Sequence, residues 1–195
     1  MSEQLSLMAF ETAPQPTDRL FFAIFPDADA AARIARHARH LRGEHGLTGG
    51  SLATERFHIT LHHLGDYAGL PQDVVGAAAE AATTVTTPEF NVVFDRVLSF
   101  SGRSGNRPLV LRGDNGLVAL AAFQQALGLA LRKAGLGRWV ARSFTPHVTL
   151  LYDDISVAEQ PIEPLDWTVR EFVLVHSLLG QTRHVPLARW PLQKR

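Results

Sequence analysis

Apolar residues change period several times along the chain, and each change marks an element. Leu20–Phe25, LFFAIF, is a continuous apolar and aromatic run ended by Pro26, the length and content of a buried strand. Beyond Asp27, Ile34, Ala38 and Leu41 fall on one helical stripe with Arg33, Arg36 and Arg39 off it, and Gly43 supplies a stop. Phe57–Leu64, FHITLHHL, predicts a second strand, closed by Gly65 and Asp66. Pro71 to about Thr86 predicts a second helix, with Leu70, Val74, Ala78, Ala81 and Val85 on one face. Phe90, Val92 and Phe94, then Leu98 and Phe100, return to period two, and the SGRSGNRP segment joins them to Leu109–Gly113 as a hairpin with a long loop. A third helix is predicted from about Gly116 to Ala134, on the stripe Leu120, Phe123, Leu127 and Leu131. Further strands are predicted at Ser143–Tyr152, Val169–Leu179 and His184–Trp190.

Strands and helices interleave, yet no G-x-G-x-x-G follows a strand, so the dinucleotide-binding α/β fold has no support. An α+β domain with antiparallel or mixed sheets is expected. Residues 1–18 read as a polar arm; with Glu3 and Glu11 and no basic start or long apolar stretch, they do not form a secretory signal. Residues 19–195 read as a single domain.

Composition narrows the chemistry. A chain of 195 residues, 46% hydrophobic, can bury a core without staples, and zero Cys excludes disulfides, thiolate nucleophiles and Cys-containing metal sites. Nineteen basic residues, all but Lys133 and Lys194 being Arg, balance nineteen acidic ones. Zero net charge argues against coating duplex DNA, though not against a grip on one phosphate. The stretch Gly116–Leu131 is broken by Gln124 and Gln125 and too short to span a bilayer, so no membrane association is expected and a cytoplasmic monomer is the expectation.

One signal stands apart. His58-Ile59-Thr60-Leu61 and His147-Val148-Thr149-Leu150 repeat H-[apolar]-T-L 89 residues apart, with Phe57 and Phe144 upstream. A single long-period repeat implies two facing lobes rather than a solenoid. In a strand, residues i and i+2 share a face, so His58 and Thr60 project together, as do His147 and Thr149, while Phe57, Ile59 and Leu61 pack inward. If the two strands meet across a pseudo-twofold, two imidazoles and two hydroxyls converge. Two imidazoles near pKa ~6.5 can hold opposite protonation states, which displacement at phosphorus requires: one takes the proton of the nucleophile and one protonates the leaving alkoxide. The hydroxyls can donate to non-bridging phosphate oxygens.

At these residues the sequence resembles the 2H phosphoesterases, and within them the bacterial RNA 2′,3′-cyclic phosphodiesterases, also called 2′-5′ RNA ligases. RLFFAIFP (19–26), FHITLHHLGD (57–66), RPLVLRG (107–113), FTPHVTL (144–150) and HSLLGQTRHVPLARWPL (176–192) carry the resemblance, which covers about residues 19–192. It implies a bilobal, duplicated α+β fold of two β-sheets flanking a central cleft with helices outside, no metal or other cofactor, and hydrolysis of a 2′,3′-cyclic phosphate to a 2′-phosphate. The implied substrates are RNA ends or small cyclic nucleotides, with 2′-5′ ligation as the reverse reaction. By resemblance His147 is the base and His58 the acid. Three positions depart from the family pattern: Leu151-Tyr152-Asp153 stands where Arg is common, His184 where a Tyr is common, and Arg112 where several relatives have Trp. Tyr152, Arg142 and His184 are therefore candidate substrate contacts.

Three other readings compete. A zinc hydrolase could use His58 and His62, but in a strand these lie roughly 13 Å apart; His62 then reads as a cleft-edge residue, His63 as a polar residue near the turn and His176 as a hydrogen-bonded core His. An ATP-driven ligase lacks both a P-loop and a Lys nucleophile in a K-x-D-G context. A non-catalytic nucleotide- or RNA-binding module would not require both His-x-Thr pairs.

Overall fold

The computed structural model describes residues 14–103, 106–141 and 143–194. Eight strands, β1 (Asp18–Ile24), β2 (Ile59–Tyr67), β3 (Phe90–Ser99), β4 (Arg107–Arg112), β5 (Val148–Asp153), β6 (Gln160–Val169), β7 (Glu171–Leu178) and β8 (Arg183–Pro191), form two sheets. Their orders are β2-β1-β7-β8 and β5-β4-β3-β6, and every strand pairing within a sheet is antiparallel. The α-helices among the described residues are α1 (Ala28–Glu44), α2 (Gln72–Thr83) and α3 (Val118–Lys133). The duplication is visible in the connectivity: β1-α1-β2 in one sheet matches β4-α3-β5 in the other, and each copy of the motif ends on an edge strand.

The helices fasten the lobes together. α1 packs on β5 and β6 of the opposite sheet, while α3 packs on β2 and β3. One core therefore runs through both lobes, from Phe22, Ile34 and Ile59 to Phe94, Phe123 and Phe172, all buried. Asp27 caps α1, its Oδ1 accepting from the Ala30 amide at 2.9 Å. Gly43 lies inside that helix; the stop falls at Gly46, whose φ of 63° is the left-handed conformation a helix end needs. Among the described residues no helix is long and apolar enough to cross a membrane.

Two strand expectations need correction. Val169–Leu179 is not one strand: Val169 ends β6, and β7 begins at Glu171 after a corner at Arg170. β6 itself escaped the periodicity because Pro161 and Pro164 interrupt it, and Pro is tolerated there because β6 is an edge strand. Residues 143–147 precede β5 rather than belonging to it, with Pro146 breaking the ladder one residue before His147. Asp18, counted with the arm, is the first residue of β1 and meets the His176 Nε2 at 2.5 Å; of the arm, residues 1–13 lie outside the described residues.

The two motif strands are held in place by the segment that precedes the first of them. Buried Asp153, at the end of β5, accepts from the Thr48 and Gly49 amides at 2.7 and 2.6 Å, and Leu52 donates its amide to the Leu150 carbonyl at 2.8 Å. Ser51 bridges Leu151. Gly49 lies so close that a Cβ would stand 1.9 Å from the Tyr152 carbonyl oxygen. Gly49→Ala is expected to lower stability by about 1–3 kcal/mol through this backbone clash, seen as a reduced midpoint in urea unfolding; an unchanged midpoint would show that the segment shifts without cost.

Candidate active site

The predicted convergence occurs. His58, Thr60, His147 and Thr149 line one cleft of about 550 Å³, together with Tyr152 and His184. Each histidine precedes its strand and is held in the same way. The His58 Nδ1–H donates to the Arg56 carbonyl at 2.7 Å, and the His147 Nδ1–H donates to the Thr145 carbonyl at 2.8 Å, each two residues back. A carbonyl can only accept, so Nδ1 carries the proton and Nε2 is left as the free nitrogen of both rings. The Thr60 and Thr149 hydroxyls have no hydrogen-bond partner among the described residues.

Strand parity alone does not give the remaining walls. β2 and β5 each carry an irregularity directly after the motif Thr: Ala23 and Phe22 pair with Thr60 and His62, skipping Leu61, while Val110 and Leu109 pair with Thr149 and Leu151, skipping Leu150. Each is a bulge that inserts one residue and reverses the faces of the residues after it. The cleft therefore receives His63 and Tyr152, three residues after each Thr, and the core receives His62 and Leu151. His62 is not at the cleft edge, as expected from simple alternation, but buried, its Nε2 bonded at 2.9 Å to the Gln124 carbonyl of α3. His63 is exposed and bonded to Asp66 at 2.9 Å. Among the described residues no three His, Asp or Glu side chains are grouped to hold a metal ion.

Aromatic rings wall in both imidazoles. Phe21 and Phe25 lie 5.2 and 5.9 Å from the His58 ring, and Phe100 lies edge-on to His147 at 5.0 Å. Burial disfavours the imidazolium and pushes His58 down to about 4, the neighbouring His184, His147 and Arg56 adding to the effect. His147 is held below the usual imidazole range for the same reason, with Arg112 contributing. The Arg112 guanidinium sits over Phe100 at 5.9 Å and places a charge behind His147.

Of the candidate contacts, His184 stands edge-on to His58 at 5.2 Å, with both ring nitrogens buried and unpartnered, and Tyr152 is 41% exposed at the cleft lip. Arg142 lies outside the described residues. Arg19, Ser177 and Thr182 also line the cleft and were not anticipated. Arg19 and Ser177 were readable in principle, since register places them opposite one another in β1 and β7, on the row that ends at His184.

Two antiparallel sheets that bring paired His-x-Thr segments to a single cleft have the architecture of the two-histidine phosphoesterases. A model of the 2′-5′ RNA ligase superfamily matches residues 25–181, and the chain belongs to that family. It is 31% identical over 189 residues to the RNA 2′,3′-cyclic phosphodiesterase of Escherichia coli K12, covering 89% of this chain and 96% of that one. The fold matches a crystal structure of a phosphoesterase at 29% identity and TM-score 0.68, over 91% of this chain and 99% of that one. It also matches E. coli LigT in complex with 3′-AMP at 26% identity and TM-score 0.65, with the same coverage.

Both rings are expected as neutral Nδ1–H tautomers at pH 7 in nitrogen-resolved NMR spectra, with His58 titrating near 4. Unfolded His58 takes up its proton near 6.5 while the folded ring resists to about 4, so its linkage lowers stability as pH falls through that window and contributes nothing further outside it. A charged His58 at pH 7 would contradict the tautomer assignment and the burial effect together.

Proposed function

We propose that this chain hydrolyses ribose 2′,3′-cyclic phosphates to 2′-phosphates, at RNA ends or on small cyclic nucleotides, by proton exchange between His58 and His147 across one phosphate. The matched Nδ1–H anchors carry this reading, because they leave two Nε2 atoms free in one cleft. The activity of the E. coli relative and the 3′-AMP complex of LigT support the substrate class.

In the order the family resemblance implies, the His147 Nε2 takes a proton from water as it attacks phosphorus. His58 gives a proton to the departing 3′ oxygen, leaving the 2′-phosphate. Thr60 and Thr149 donate to the non-bridging oxygens, fixing the phosphate and offsetting the charge that builds on it. His58 is neutral in the empty cleft, so its proton is taken up with the substrate: an anion beside the ring favours imidazolium. Burial then makes that imidazolium a ready donor. The same displacement with a 5′ hydroxyl in place of water, O3′ again leaving with a proton from His58, gives 2′-5′ ligation. Tyr152 and His184, which line the cleft, are the proposed base or phosphate contacts.

The test is a panel of 2′,3′-cyclic mononucleotides and short RNAs ending in a cyclic phosphate, assayed with EDTA and with product regiochemistry determined. Activity is expected to persist in chelator and to follow a bell-shaped pH profile. His58→Ala and His147→Ala should each lower kcat by at least ~10²-fold, since each removes a transfer made in the transition state. Thr60→Ala and Thr149→Ala should cost less and change KM as well. Activity lost in EDTA and restored by zinc would favour a metallohydrolase, and near-normal kcat in either His variant would remove that residue from the mechanism.

A further inference from the structure

The open space does not stop at the catalytic cleft. Arg56, Thr182 and His184 line the cleft and also a larger adjoining groove of about 710 Å³, so they form a shared wall between the two. The groove has apolar surface from Phe25, Pro26 and Pro186, and four arginines, Arg56, Arg170, Arg183 and Arg189.

Three carboxylates share the groove with them, and two are paired with arginines. Asp27 caps α1 and faces Arg170 at 3.6 Å, while Glu171 pairs with Arg189; Glu55, the third, accepts from the Thr54 hydroxyl at 3.4 Å. Arg56 and Arg183 have no carboxylate partner among the described residues, and the Arg56 Nε is buried with no hydrogen-bond partner. Thr182, between them and the cleft, has φ 53°, a left-handed conformation that a β-branched residue adopts only under constraint. Apolar faces beside unpaired guanidinium groups suit a nucleoside joined through a phosphodiester: the base stacks on the apolar surface and the phosphate meets the cations.

The covalent structure of the substrate decides which nucleotide this is. In a ribose 2′,3′-cyclic phosphate both ring hydroxyls are used, so the chain can continue only from the 5′ oxygen. On the cyclic phosphodiesterase reading above, we propose that the groove binds the penultimate nucleotide of a single-stranded RNA, with Arg183 meeting its linking phosphate, and that the enzyme prefers oligonucleotide ends to cyclic mononucleotides.

Arg183 is exposed at the start of β8 and does not line the catalytic cleft, so Arg183→Glu isolates the groove. The experiment compares kcat/KM on a 2′,3′-cyclic mononucleotide and on a tetranucleotide ending in the same cyclic phosphate. The native enzyme should favour the tetranucleotide by about tenfold or more, and Arg183→Glu should remove most of that preference through KM while leaving the mononucleotide within about twofold. The salt dependence for the tetranucleotide should be steeper by about 0.7 log unit per phosphate held, and should flatten in the variant. Absence of any preference in the native enzyme overturns the groove assignment alone, because mononucleotide turnover still supports the catalytic reading. Equal losses on both substrates also overturn it, by assigning Arg183 to the terminal nucleotide. Inactivity of the native enzyme on both substrates would instead sink the reading on which the groove rests.

Discussion

The Asp153 carboxylate, at the end of the second motif strand, holds the chain that leads into the first motif. By accepting the Thr48 and Gly49 amides it satisfies two backbone donors, and it draws residues 48–52 along β5. Together with the Ile155 amide, the first contributor, these hydrogen bonds hold its carboxyl below the usual carboxylate range. Six residues beyond Leu52, which is itself bonded to Leu150, the chain reaches His58. The relative position of the two imidazoles thus rests on a short, stapled path rather than on packing between independent lobes. The helices enforce the same relation from the other side, since α1 packs on the opposite sheet and α3 bridges β3 of its own sheet and β2 of the opposite one.

Duplication extends below the level of the tetrapeptides. Both histidines sit just outside their strands, both are fixed by a carbonyl two residues back, and both strands bulge after the motif Thr. Period-two reading found the His-x-Thr pairs because the alternation is intact up to Thr60 and Thr149. It misplaced His62 because the bulge adds one residue and reverses the faces, and hydrophobicity cannot signal this: Leu61 and Leu150 are apolar whether or not they bulge. Tyr152 was found through its departure from the family pattern, and the bulge explains how it reaches the cleft. Elements whose apolar positions were regular, such as α1 and α3, were legible to within a few residues. β6 was not, because its prolines remove the pattern on which the inference depends. The aromatic walls were read as core, and Phe21 is indeed buried, but its ring also faces His58; one residue can serve both ends when the site is built on a sheet face.

Those walls explain the electrostatics of the empty cleft. Exclusion of water favours neutral imidazole at both positions, and it equally strengthens any interaction that the rings make with an anion. A cyclic phosphate carries the charge that the site lacks a partner for. Binding and protonation are therefore linked: the anion raises the proton affinity of the rings it touches, and an imidazolium attracts the anion. A cleft lined by an additional carboxylate would lose this coupling, because it would hold the proton in the absence of substrate. Asp66, the carboxylate that lies beyond the first motif on β2, is held by Arg19 and His63.

A chain with no net charge exerts a weak long-range pull on a polyanion, so on the proposed function selectivity comes from where its cations are left unpaired. Several described arginines of the sheets are neutralised locally: Arg19 by Asp66, Arg96 by Asp114 and Glu159, Arg189 by Glu171. Arg56 differs, being half-buried at the base of the first motif with its carbonyl committed to His58 and its Nε free of partners. Its charge also disfavours protonation of His58 and His184 in the empty site. A bound phosphate relieves that repulsion while meeting the guanidinium, so one residue positions the catalytic ring through its backbone and favours an anion through its side chain. On the proposed function, such a local arrangement favours a single phosphate that reaches the cleft, because the cation that meets it also disfavours a charged ring until the phosphate is there.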